Sequence, residues 1–229
     1  MNDSSIIRRQ QSILATNKVL RNTYLLLSLT LLFSAGMAIM SVASNAASPG
    51  ILVTILGMYG LMFLTQALRN TPWGLVSVFA FTGFMGYLLG PILNLYLHTF
   101  SNGGELIATA LAATGVVFLS LSAYVITTKK DFSYLGGFIM AVIIGAIVLM
   151  LLGFFFHAPF LSLAISFAFV LISSAMILYE TSMIIQGGET NYIMATITLY
   201  VSLSAGQLDD EIYSSLGHSV VKGWNRITF

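Results

Sequence analysis

Cysteine is absent from all 229 residues, which removes disulfides, thiolate metal sites, iron–sulfur clusters and thiol nucleophiles together. Charge is scarce as well. Nine Lys and Arg with eight Asp and Glu make up 7% of the chain, whereas about a quarter of a soluble globular domain is charged. So few polar groups cannot coat a water-soluble domain. With 57% hydrophobic residues and a mean hydropathy of +0.92, the chain reads as an all-α integral membrane protein whose solvent is the lipid bilayer. A net charge of +1, with basic residues in short clusters, offers no surface for nucleic acid. The three histidines, His98, His157 and His218, fall at loop positions without HExxH spacing, GxSxG is missing, and no aspartate lies in the first six spans. No catalytic residue, metal site or cofactor is therefore expected, and the chain is not read as an enzyme.

What remains is long apolar runs separated by small polar breaks. Asn22 to Leu68 contains no Asp, Glu, Lys, Arg or His, enough for two spans of about 20 residues, with Ser44, Asn45, Ser48, Pro49 and Gly50 marking the turn between them. Expected spans are 24–42, 51–67, 74–95, 105–126, 134–156, 158–185 and 191–208, preceded by a leader over 1–22 and followed by an atypical polar tail over 204–229. Pro159 suits the first turn of the sixth span, where a missing N–H costs nothing. The seventh is the weakest: Thr190 to Leu208 is only 19 uncharged residues and rich in hydroxyls, and Asp209, Asp210 and Glu211 follow at once.

Lys and Arg set the orientation, because short basic loops stay in the cytoplasm. Arg8, Arg9, Lys18 and Arg21 precede span one, Arg69 follows span two, and Lys129 and Lys130 follow span four. The N-terminus and the loops near 69, 129 and 187 are expected inside, and His98, Glu105 and His157 outside. The first apolar run is longer than a secretory signal and reads as an uncleaved anchor. The leader reads either as a short helix on the inner surface or as a disordered basic tail.

Two small-residue patterns recur at helical spacing: Gly86 and Gly90 in span three, and Gly137, Ala141 and Gly145 in span five. Both are expected to let helices of a compact bundle approach closely. Two polar residues inside spans stand out. Glu180, in the last third of span six, is the one acid well within a span: it either reaches the interface and pairs with Arg69 or Lys129, or is a proton- or cation-sensitive group turned to the bundle interior. Asn94 reads as structural glue, an amide placed near the backbone carbonyl that Pro91 leaves without its helical donor.

Six blocks carry a resemblance: KVLRNTY from Lys18, GMYGLMFLT from Gly57, GYLLGPILN from Gly86, ISSAMILYETS from Ile172, IQGGETNYI from Ile185 and LYVSL from Leu199. Together, over roughly residues 12 to 203, the chain resembles the Bax inhibitor-1 family, and within it a bacterial inner-membrane branch. The resemblance implies six helices around a central seventh, a multi-pass inner-membrane location, and a regulatory role as a binder and modulator of the membrane-anchored AAA protease FtsH. The alternative it implies is a pH-sensitive leak of calcium or another cation, driven by paired carboxylates on helices six and seven. Glu180 matches the helix-six carboxylate, and the helix-seven position falls at Ser202, which is not ionisable, so coupled titration of two carboxylates is lost. After Leu203 the family's apolar run is replaced by Ser204 to Glu211, the mark of an altered or frame-shifted end or of a genuine polar extension with a shortened seventh helix.

Overall fold

The computed structural model describes residues 3–155 and 159–204. Among them lie seven helices and no strand: α1 Asp3–Ala43, α2 Ile51–Leu68, α3 Trp73–Thr99, α4 Gly103–Thr128, α5 Leu135–Phe155, α6 Pro159–Gln186 and α7 Tyr192–Ser204. Four are long and apolar enough to cross a membrane by length and composition, the segments Thr16–Ala43, Trp73–Thr99, Gly103–Thr128 and Phe167–Gln186. α1 continues without a break through the leader, so leader and first span form one helix of 41 residues, about 60 Å long at the standard rise. That is roughly twice the hydrocarbon thickness, and the helix extends past it. The tail beyond residue 204 lies outside the described residues, as does His157.

Helix ends follow from local chemistry. α1 stops at Asn45, which takes the left-handed conformation (φ 48°), while the N–H groups of Asn45 and Ala46 close onto the Val42 and Ser41 carbonyls at 3.0 Å each. α6 stops the same way at Gly187 (φ 78°), with Gly187 N–H on Ile184 O and Gly188 N–H on Met183 O. Both are Schellman closures, which need a residue that tolerates positive φ. At the start of α7, Asn191 is the cap: its Oδ1 accepts the Ile193 and Met194 N–H groups.

α7 sits at the centre. Ala195, Thr196, Ile197, Leu199 and Ser202 are fully buried and Tyr200 nearly so, within a core that includes Leu27, Val78, Phe81, Phe118 and Ile184 from four other helices. α3 packs along α1, α2 lies against α3, and α5 against α6. In lipid, where apolar side chains gain little by leaving the tails, close approach decides these contacts. At Gly86 and Gly90 the α1 backbone comes so near that an added methyl would overlap the Ser34 carbonyl and the Ser41 side chain. At Gly137 and Gly145 on α5, by contrast, an added methyl would meet nothing within 4 Å, so the second pattern does not serve packing within the described bundle.

Candidate functional site

The ionisable group inside the bundle is built from α6 and α7. Glu180 is half-buried on α6, near the Thr198 hydroxyl of α7, which itself donates to the Met194 and Ala195 carbonyls of its own helix at 3.1 and 3.2 Å. Neither Arg69 nor Lys129, the interfacial partners considered from sequence, forms an ion pair with it among the described residues. Next to it, Thr181 is fully buried and shares a 3.3 Å hydrogen bond with the Tyr24 hydroxyl of α1. The Tyr24 ring in turn lies 6.0 Å from that of Phe118 on α4. Four helices thus meet around one polar level. Ser202, fully buried, donates to the Thr198 carbonyl of its own helix at 2.8 Å. Thr198, one turn earlier on α7, is the hydroxyl near Glu180, a residue with no signal in the sequence to separate it from the other hydroxyls of the span.

Beyond Glu180, one end of the bundle is tied together through its loops. Ser182 Oγ accepts the Phe132 N–H at 2.9 Å and donates to Lys130 O at 3.3 Å. Gln186 Nε2 donates to Lys129 O, and Asn191 Nδ2 donates to Arg69 O and Asn70 Oδ1 at 3.0 Å each. Thr16 of α1 lies 3.9 Å from where a methyl on Gly187 would sit. The loops around 69, 129 and 187 and the start of the first span therefore share one end, and it carries the exposed cations Lys18, Arg21, Arg69, Lys129 and Lys130. Asp131, on the same surface, accepts the Ser133 N–H at 2.8 Å. The backbone and side-chain hydrogen bonds of Ser133 hold its carboxyl below the usual aspartate range. Its contribution is present above the unfolded value and is lost as pH falls through the lowered one.

Asn94 lies at the opposite end, where its Nδ2 donates to Asn45 Oδ1 at 3.0 Å and so fastens the end of α1 to α3. The carbonyl that Pro91 frees is that of Tyr87, and it is satisfied by the Ser41 hydroxyl at 2.8 Å rather than by Asn94. A shallow cleft of about 390 Å³ lies beside Asn94, lined also by Ser48, Pro91 and His98. No group of three or more His, Asp or Glu able to hold a metal ion occurs among the described residues.

Residues 16–205 match the family described as inhibitor of apoptosis-promoting Bax1. Over 192 residues, 84% of this chain and 87% of the relative, the sequence is 58% identical to a protein of Escherichia coli K12 named modulator of FtsH protease YccA. The chain belongs to the Bax inhibitor-1 family. A relative from Escherichia coli O6:H1 with the same identity and coverage is named inner membrane protein YccA. An uncharacterized protein of Pseudomonas aeruginosa is 59% identical over 188 residues, covering 81% of this chain and 83% of its own length. As a Bax inhibitor-1 protein, then, this is an all-α membrane protein, and its family is one of inhibitors and modulators rather than a known enzyme family. The Bax inhibitor-1 match runs through Glu180, Thr198 and Ser202 and ends at residue 205.

Proposed function

We propose that this protein binds and modulates an FtsH-type membrane-anchored AAA protease, as a multi-pass inner-membrane protein with its N-terminus in the cytoplasm and no reaction of its own. The observation that carries the reading is the 58% identity over 84% of the chain to a protein named for modulating FtsH. The basic end supports the orientation: its exposed Lys and Arg side chains belong on the cytoplasmic face of a membrane. Its loops are pinned to α6 and α7 by side-chain hydrogen bonds, which gives a partner a surface of defined shape. Affinity purification of the protein from native membranes recovers the AAA protease, and deletion changes the turnover of membrane proteins. Purification without any AAA protease, together with unchanged turnover, removes the proposal.

A second reading rests on Glu180, half-buried within a spanning segment and near the Thr198 hydroxyl of α7. It is a proton-sensitive leak for calcium or another cation, with Glu180 as the sensing group and Ser202 at the α7 position that the resemblance pairs with it, where no ionisable group stands. Reconstituted protein then passes cations in a pH-dependent way that Glu180→Gln abolishes. Flux that is the same in both proteins eliminates this reading and leaves the first intact.

A further inference from the structure

A helix that ends by turning left-handed is normally closed by glycine or asparagine, which take positive φ at little cost. α1 and α6 obey, with Asn45 and Gly187. α4 does not. Its closing residue is Lys129, at φ 53° and ψ 24°, with its N–H on Val125 O at 2.8 Å. Among the described residues other than glycine, only Asn45 and Lys129 hold a positive φ. A lysine kept where the backbone favours glycine is a local strain that a use for its side chain explains.

The corner between α4 and α5 that Lys129 opens is held in place from α6. Gln186 Nε2 donates to Lys129 O at 3.1 Å, and Ser182 Oγ donates to Lys130 O at 3.3 Å while accepting the Phe132 N–H at 2.9 Å. Two consecutive lysines, both exposed, therefore stand on a pinned backbone. Neither forms an ion pair among the described residues, and the adjoining acid, Asp131, accepts the Ser133 N–H. Aromatic rings surround the pair. The Phe132 ring, itself buried, lies 6.1 Å from those of both Tyr124 and Tyr134, and the two tyrosines are 44% and 69% exposed. Phe138, one turn into α5, is exposed as well. The corner follows directly on the apolar span Gly103–Thr128, at the level where lipid headgroups lie and tyrosine rings settle.

We propose that the α4–α5 corner is a headgroup site for an anionic phospholipid, with Lys129 and Lys130 holding the phosphate and Tyr124 and Tyr134 flanking it. Two ammonium groups that no protein acid neutralises match a phosphodiester anion. The exposed rings of Tyr134 and Phe138 add an apolar wall for the acyl chains, which a soluble anion does not use. The other described cations of this end offer less: Lys18 and Arg21 lie along the continuous helix α1, and Arg69 is the single cation of the α2–α3 corner. The site does not rest on the protease reading, because binding a lipid needs no protein partner.

Native mass spectrometry of the full chain in neutral micelles tests it, with phosphatidylglycerol and phosphatidylcholine of the same acyl chains titrated in parallel. Phosphatidylglycerol is expected to be retained in preference. Lys129→Gln combined with Lys130→Gln weakens that retention about tenfold or more, the effect of two basic side chains at a lipid surface. Lys18→Gln combined with Arg69→Gln removes as much charge from the same end and leaves retention nearly unchanged. Lys129→Gly separates binding from folding: glycine relieves the left-handed turn, so thermal stability without added lipid holds or rises, while affinity for phosphatidylglycerol falls. Equal retention of the two lipids overturns the site, a result that needs no variant to fold. Equal weakening by the two double variants overturns it as well, and so does an unchanged affinity in Lys129→Gly. Inorganic phosphate, which brings charge without acyl chains, is expected not to displace the lipid, and displacement overturns the assignment to a phospholipid.

Discussion

Helices α3 and α5 carry the same signal, small residues four apart, and the fold uses them in opposite ways. On α3, Gly86 and Gly90 face Ser34 and Ser41 of α1 so closely that no side chain fits between. On α5, Gly137 and Gly145 face open space, and Phe138, Ile144 and Val148 around them are exposed. What differs is the opposing helix. α1 brings serines at a seven-residue interval, and each bonds beyond its own helix: Ser41 to the Tyr87 carbonyl at 2.8 Å and Ser34 with the Tyr200 hydroxyl at 2.6 Å. A small-residue pattern permits close approach, and a complementary set of hydroxyls on the neighbour turns it into an interface.

The harshest way to break this contrast is Gly86→Ala. Its methyl would overlap the Ser34 backbone carbonyl, which cannot move without shifting α1 itself, so the seam must open. A loss of about 3 kcal/mol or more is expected, at the upper end of overpacking effects. Unfolding of the protein in mixed micelles measures it, and a variant as stable as the parent would show that α1 and α3 are not held this closely. Tyr200→Phe is milder. It removes the bond to Ser34 and the 3.4 Å approach to the Thr82 carbonyl while keeping the edge-on packing against Phe81. About 1 kcal/mol is expected, in the range of interhelical hydrogen bonds within membranes. Ser41→Ala belongs just below it, at under about 1 kcal/mol, because the bond it removes, to the carbonyl of half-buried Tyr87, is only part-buried, whereas that of Ser34 to Tyr200 is buried. If Ser41→Ala cost more than Tyr200→Phe, the proline-freed carbonyl rather than the Tyr200 bond would be the principal polar tie.

The unequal legibility of these features has a physical cause. Ionisable groups are so costly in lipid that their gaps outline a seven-helix membrane protein directly, and the same cost singles out Glu180. Hydroxyls carry no such signal, since each can retire onto its own helix. Ser182 beneath the α4–α5 loop, and Ser34 and Ser41 on the α3 seam, look in sequence like Thr65 or Ser77, which bond only backward. Only the placement of a second helix separates the two kinds. The amide of Asn94 shows the limit of local reasoning: Pro91 does free a carbonyl nearby, but that group is one turn back at Tyr87 and faces α1, whereas Asn94 lies one turn onward beside Asn45.

The smallest expected effect is the most direct test of the contrast. Gly137→Ala makes the same chemical change as Gly86→Ala, in the same kind of helix, at a position where the new methyl meets nothing within 4 Å. Helix propensity alone favours alanine over glycine by up to about 1 kcal/mol, so stability in micelles should be unchanged or slightly raised. Two glycines in equivalent patterns would then differ in sign as well as size, with the opposing helix as the sole cause. A loss at Gly137 comparable to that at Gly86 would mean that α5 is covered in the working protein by a surface that the single chain does not supply, and dilution of the protein in micelles would then have to weaken it in step.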